Sequence, residues 1–88
     1  MADYSVVFVR TARRELEALP PELAERILRK IRLLSRVPRQ SGSKKLKGSF
    51  DLWRIRVGDY RVVYEIFDEA KNIEISYIRH RREVYRDL

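Results

Sequence analysis

Residues 52–67 read LWRIRVGDYRVVYEIF, and this stretch decides the fold. Apolar and polar side chains alternate along its first six residues, which is the pattern of a β-strand with one buried face. Gly58-Asp59 is a two-residue hairpin signal, and the alternation resumes after it. A two-residue turn places Arg56 opposite Arg61, while the apolar side chains of both strands share the other face. The stretch therefore predicts an antiparallel hairpin with a buried face and an arginine-bearing face.

The flanking segments supply the remaining elements. A helix is indicated by Ala12, Leu16 and Leu19 at a spacing of four and three residues, and Pro21 suits the first turn of the next helix. The predicted elements, in chain order, are a strand at 4–10, a helix from an N-cap at Thr11 to 19, a helix at 21–35, strands at 52–57, 60–67 and 73–78, and a short helical tail at 79–88. This order predicts a single α+β domain spanning residues 1–88. A largely antiparallel four-stranded sheet would carry an antiparallel helix hairpin on one face and leave the other face open.

The position of Arg79 depends on the turn before the last strand. A five-residue turn places Arg79 opposite Arg61 on the open face but turns Glu74 and Ser76 toward the helices. A four-residue turn places Arg79 on the core side. A slip of one residue reverses every side chain of a strand, so the hydrophobic pattern leaves both alternatives standing.

The charge of the chain favours a polyanionic partner. Its 20 Lys and Arg against 13 Asp and Glu give a net charge of +7, and fifteen of the cations are arginine. Arginine binds phosphate with two parallel hydrogen bonds and stacks on bases, so nucleic acid is the leading partner class. A merely soluble basic surface is the alternative.

Composition also limits the chemistry. The absence of cysteine excludes disulfides and thiolate metal sites, and one histidine is too few for an ordinary zinc site, so no metal or cofactor is predicted. The chain has neither a long apolar run nor a signal-peptide pattern, so we expect a cytoplasmic protein without a membrane partner.

The cross-strand pair of Arg56 and Arg61 is the main candidate for a functional site. Two like charges directly opposite each other destabilise a sheet. An anion-binding use explains such a pair better than a requirement of the fold does, although a solvated sheet face remains the alternative.

Two further runs carry a family resemblance: KKLKGSFDLWRIRVGDYRVVYEIFDE at 44–69 and ISYIRHRREVY at 75–85. With the helix hairpin before them, they resemble the RelE/ParE superfamily of bacterial and archaeal toxins. The resemblance implies the toxin of a type II toxin–antitoxin pair. In the RelE branch, that toxin is a metal-independent endoribonuclease that cleaves mRNA in the ribosomal A site. The resemblance also implies an acidic cognate antitoxin that forms a hetero-oligomer with the toxin. The ParE branch, which poisons DNA gyrase by binding, is the alternative.

Matched onto this sequence, the RelE catalytic set consists of Arg54, Arg56, Arg61, Arg79 and Tyr85. The first two positions depart from the best-known RelE enzymes, which have lysine there, so electrostatic roles carry over better than proton-transfer roles. Retention of a full set favours the nuclease branch over the ParE branch.

The proton-transfer residue has two candidates. The arginines around Tyr85 would lower the pKa of its hydroxyl and let it act as a base, whereas His80 has a suitable intrinsic pKa. A packing aromatic and a surface histidine are the respective alternatives. Contacts with the RNA phosphates are predicted for Lys44, Lys45, Lys47, Arg81 and Arg82, for which a solvated surface is the alternative.

Overall fold

The computed structural model describes residues 3–48 and 50–82. Its elements are β1 (Ser5–Phe8), α1 (Arg10–Glu17), α2 (Pro21–Leu34), β2 (Lys44–Lys45), β3 (Leu52–Val57), β4 (Tyr60–Phe67) and β5 (Asn72–His80). The strands form one sheet in the order β1-β5-β4-β3-β2, in which β1 runs parallel to β5 and the other pairs are antiparallel. The predicted α+β class is confirmed, but the sheet has five strands rather than four. The predicted start of the helical tail at residue 79 was wrong, because Arg79 and His80 pair with β4 as the end of β5. The tail beyond Arg82 lies outside the described residues.

The core lies between the two helices and one face of the sheet. The alternation along their strands predicts that Tyr64 and Trp53 face this side. Tyr64 is buried there, and Trp53 packs against the core. Its buried members are Ala12, Leu16, Ile27, Ile31, Leu34, Ile55, Val57, Val62, Tyr64, Ile66, Ile73, Ile75 and Ile78. The predicted placement of the helix hairpin on one face is therefore confirmed. The opposite sheet face, which carries Arg54, Arg56 and Arg61, is called the arginine face.

The fifth strand is the short β2. Lys44 pairs with Arg54 and Lys45 pairs with Trp53, which extends the sheet beyond β3. Two residues cannot display an alternating pattern, so this strand has no signature in the sequence.

The start of α1 differs from the prediction. The helix begins at Arg10 with Val9 as its N-cap, and no side chain caps it, so the assignment of Thr11 as the N-cap was wrong. The N–H of Val9 donates to the carbonyl of Ile75 at 3.1 Å, which holds Val9 in an extended conformation. The sheet thus determines where α1 starts. By contrast, Pro21 does occupy the first turn of α2.

A β-bulge in β5 resolves the register. The turn before β5 holds four residues, 68–71, and Ser76 is then left without a partner in β4. This extra residue lets Ile75 and Ile78, three positions apart, both face the core with at most 2% of their surface exposed. It also returns Arg79 to the arginine face, opposite the arginine of β4. Neither sequence alternative contained this combination, because each assumed a regular strand.

A surface network around Arg39 ties the loops together. Its guanidinium bonds Asp51 at 2.7 Å and Asp68 at 2.8 Å, and the Tyr4 hydroxyl donates to Asp68 at 2.6 Å. The hydrogen bond from Arg39 is the main reason that the pKa of Asp68 is lowered to about 2. The network joins the N-terminal segment, the loop after α2, the approach to β3 and the β4–β5 turn.

Candidate functional site: an arginine row across three strands

Three arginines form a row on the arginine face. Arg56 of β3 pairs with Arg61 of β4, as predicted, and Arg61 pairs in turn with Arg79 of β5. Directly paired residues of antiparallel strands share a face with their Cβ atoms about 4.5–5.5 Å apart. The sheet therefore concentrates three guanidinium groups, which we call the arginine row.

Arg61, at the centre of the row, is buried. Only 5% of its surface is exposed, and its Nη1 donates to the carbonyl of Tyr60 at a long 3.3 Å. Within residues 3–48 and 50–82, no carboxylate lies within 4.0 Å of its guanidinium as an ion-pair partner. A buried cation without a counter-ion is costly, and a bound anion would offset that cost. The charge and burial of Arg61 are therefore of the kind that favours an anion such as phosphate as a partner.

Arg79 is held from two sides. Its Nε donates to a Glu15 carboxylate oxygen at 2.8 Å, and its guanidinium carbon lies 4.5 Å from the centre of the Tyr77 ring. The other Glu15 oxygen accepts the backbone N–H of Ile78 at 3.0 Å. Sequence analysis missed Glu15, because a glutamate on a short amphipathic helix gives no sign of a partner more than 60 positions away.

A second basic surface adjoins the row at the β2 side. Because Lys44 pairs directly with Arg54, both lie on the arginine face. Together with Arg56, they line a surface cleft of about 420 Å³. The structure therefore brings these three predicted residues together.

The other two lysines of the predicted cluster are placed differently. Lys45 faces the opposite side of β2, where its Nζ lies 3.8 Å from Asp51. Lys47 is exposed in the segment after β2. Of the lysine cluster, then, one member adjoins the row.

His80 lies on the opposite face from Arg79, as consecutive residues of a strand do. Its ring packs edge-on against Tyr60, with 5.5 Å between the ring centres, and its Nδ1 accepts the N–H of Arg82 at 3.3 Å. Arg81 and Arg82 are exposed at the start of a helical turn. Tyr85 lies outside the described residues.

Two broader features of the described residues bear on the site. No three His, Cys, Asp or Glu side chains come together there as a group able to hold a metal ion. In the same residues, no helix is long and apolar enough to span a membrane. What the arrangement offers chemically is a set of fixed cations, able to bind a phosphate and to stabilise added negative charge on it.

Comparison with known proteins identifies the family. The family model for the ParE toxin of the type II toxin–antitoxin system parDE matches residues 6–85. Toxin RelG of Mycobacterium tuberculosis is 37% identical over 87 residues, which cover 94% of this chain and 97% of that protein. In the RelBE2 toxin–antitoxin complex of the same organism, one chain matches with a TM-score of 0.77 and 34% identity, over 89% of this chain and 98% of that one. The archaeal RelE–RelB complex of Pyrococcus horikoshii gives a TM-score of 0.77 and 33% identity, over 90% and 96%. The chain therefore belongs to the RelE/ParE family of toxins of type II toxin–antitoxin systems.

Proposed function

We propose that this toxin is a ribosome-dependent endoribonuclease that cleaves mRNA in the ribosomal A site. The observation that carries the proposal is the arginine row, with a buried central guanidinium that has no carboxylate partner among the described residues. The names of the relatives support the same branch, since two Mycobacterium tuberculosis proteins that match this chain are toxins RelG and RelE.

The proposed reaction needs no redox partner or cofactor. The 2′-oxygen of the nucleotide before the cut attacks the adjacent phosphorus while its proton passes to a base. The bond from phosphorus to the 5′-oxygen breaks, and that oxygen takes up a proton. The products are a 2′,3′-cyclic phosphate and a 5′-hydroxyl. The extra negative charge of the pentavalent phosphorus is the part of this reaction that fixed cations stabilise best.

Each arginine of the row has a proposed role. Arg61 and Arg56 neutralise the phosphoryl oxygens, which requires charge and position but no proton transfer. Arg79 stabilises the leaving 5′-oxygen or donates a proton to it. Tyr85 is the proposed base, on the strength of the family resemblance. His80 is the weaker candidate, because it faces away from the row.

RNA alignment is the proposed contribution of the ribosome and of the cleft beside the row. Lys44 and Arg54 would hold the RNA backbone by charge without reading its sequence. The reaction needs the 2′-oxygen, the phosphorus and the leaving oxygen in line, and alignment of this kind is worth several kcal/mol. A small toxin with few proton-transfer groups would thus depend on the ribosome for geometry.

The proposed partner that neutralises the toxin is an acidic antitoxin. Several solved structures similar to this chain are RelB–RelE complexes. The net charge of +7 fits an acidic partner. The outer side of α2, with Arg26, Arg29 and Lys30 exposed, and the arginine face are the proposed docking surfaces, and the complex would be a hetero-oligomer.

The second candidate function is that of a ParE-like toxin that inhibits DNA gyrase by binding. The match to the ParE family model is the observation in its favour. Such a toxin needs no cleavage chemistry and would place no special demand on the arginine row.

Mapping of mRNA ends on programmed ribosomes separates the two functions. We expect cuts within the A-site codon that carry 2′,3′-cyclic phosphate or, after opening of the ring, 3′-phosphate ends. Arg61→Met, which removes the central arginine of the row, should abolish these cuts, and its matched control is Arg36→Met, which removes an exposed arginine outside the row. Intact mRNA, together with inhibition of gyrase supercoiling by the same preparation, would replace the nuclease with the binding toxin. Products with 5′-phosphates would refute the 2′-oxygen mechanism.

A further inference from the structure

The carboxylate of Glu15 bridges α1 and the end of β5. One oxygen accepts the N–H of Ile78 at 3.0 Å and the other accepts the Nε–H of Arg79 at 2.8 Å. The two acceptors belong to one carboxylate, and 25% of the Glu15 side chain is exposed. A carboxylate that makes two charge-assisted or backbone hydrogen bonds at once is fixed in orientation and fixes its partners in turn.

The sheet creates the need for this bridge. β1 pairs with β5 only from Asn72 to Ile75, because the chain leaves the sheet after Val9 and enters α1. The N–H of Ile78 therefore points from an edge that β1 no longer covers. Glu15 replaces the missing strand at that point, and the same side chain reaches the arginine one position further along β5.

The contact to Arg79 has a specific direction. Glu15 accepts a hydrogen bond from the Nε edge of the guanidinium, and the guanidinium carbon lies over the Tyr77 ring, 4.5 Å from its centre. A guanidinium carries five N–H donors in one plane, and its pair of terminal nitrogens matches a phosphate with two parallel bonds. An Nε–H bond to a fixed carboxylate determines the direction in which that terminal edge points.

We propose that Glu15 is a positioning residue for the cleavage reaction, which holds the Arg79 guanidinium toward the scissile phosphate. This inference rests on the proposed nuclease function. It predicts whether removal of the Glu15 charge speeds or slows cleavage, a change on which two physical effects act in opposite directions. The negative charge of Glu15 weakens the positive field of the row, so removing it would speed cleavage if charge were decisive. Loss of the fixed direction of Arg79 would slow cleavage instead.

Single-turnover cleavage on programmed ribosomes tests the sign. We expect Glu15→Gln to lower the rate constant by about 10-fold or more, since small misplacements of reacting groups carry such costs, with little change in the ribosome concentration that gives half the maximal rate. Glu15→Asp keeps the charge but shortens the side chain by one methylene, and we expect it to be slow as well. The matched control is Glu17→Gln, which removes an exposed carboxylate of the same helix.

Two further measurements exclude a merely structural role. In an Arg79→Ala background, Glu15→Gln should cause no further loss of rate. The NMR resonance of the Arg79 Nε–H should shift in Glu15→Gln and stay in place in Glu17→Gln, a signal that is measurable in the folded toxin without ribosomes.

Distinct outcomes overturn the two proposals. A wild-type toxin that cleaves no mRNA defeats the nuclease function, and the positioning role falls with it. An active wild type with a Glu15→Gln variant that is equally fast or faster defeats the positioning role alone. So does a Glu15→Gln loss that is equally large with and without Arg79, because that pattern belongs to general loss of folding.

Discussion

Replacing Arg61 with methionine should make the toxin more stable and less active at the same time. Arg61 is 5% exposed and lies between two other arginines on the neighbouring strands. Methionine keeps most of the side-chain volume, so the change removes the charge without opening the cavity that alanine would leave.

The expected gain in stability can be worked out from the pairing. Each like-charge pair directly across a sheet costs about 0.2–1 kcal/mol, and Arg61 takes part in two. The pair with Arg79 belongs at the lower end of this range, because Glu15 lies 2.8 Å from that guanidinium. Loss of the long hydrogen bond to the Tyr60 carbonyl subtracts about 0.5 kcal/mol. Removing a buried charge that has no carboxylate partner among residues 3–48 and 50–82 adds to the gain. We therefore expect the free energy of unfolding to rise by about 1 kcal/mol, or the melting temperature by roughly 4–8 °C in a domain of this size.

Urea denaturation and single-turnover cleavage provide the two readouts. Cleavage by Arg61→Met should fall by about 10²-fold or more, the usual cost of removing one group that stabilises developing charge. Because Arg61 is buried, salt screens its repulsion from the neighbouring arginines only weakly, so most of the gain in stability should persist at high salt. Arg36→Met, an exposed change of the same chemistry, should alter neither quantity much. A variant that melts below the parent, or that cleaves at the parental rate, would refute the description of the row as a strained anion site.

Three other predictions follow from particular groups. Arg39 lowers the pKa of Asp68 from its ordinary value of 3.8 to about 2, so this carboxylate stabilises the fold above its ordinary pKa and the contribution disappears as the pH falls toward 2. Unfolding midpoints between pH 5 and pH 2 should therefore drop less steeply for Asp68→Asn than for the parent. Burial raises the pKa of Tyr64 to about 12, and its hydroxyl donates to the Pro38 carbonyl at 2.7 Å. Tyr64→Phe should cost about 1–2 kcal/mol in urea denaturation, and an unchanged midpoint would mean that this bond contributes nothing. Tyr85→Phe should slow single-turnover cleavage by about 10²-fold and His80→Gln much less, and the reverse order would make His80 the proton-transfer residue.

Local patterns along the chain determined the central hairpin and one side of the site. Alternation in residues 52–67 predicted both strands, the two-residue turn and the pairing of Arg56 with Arg61, all of which the structure confirms. These features are predictable because strand period and turn chemistry act between residues that are near in sequence. The basic net charge and the start of α2 at Pro21 could likewise be predicted from the sequence.

Only the tertiary structure decided the other half of the site. The bulge at Ser76 places Ile75 and Ile78 in the core and still returns Arg79 to the row, a compromise that exists only once β4 and the helices are in place. Glu15 reaches its two partners because α1 leaves the sheet where β1 stops covering β5. The contacts of Glu15 join segments more than 60 residues apart, and the bulge depends on packing against those same helices. No periodicity or spacing within one segment encodes either feature, since the burial and geometry that produce them arise only when the elements pack together.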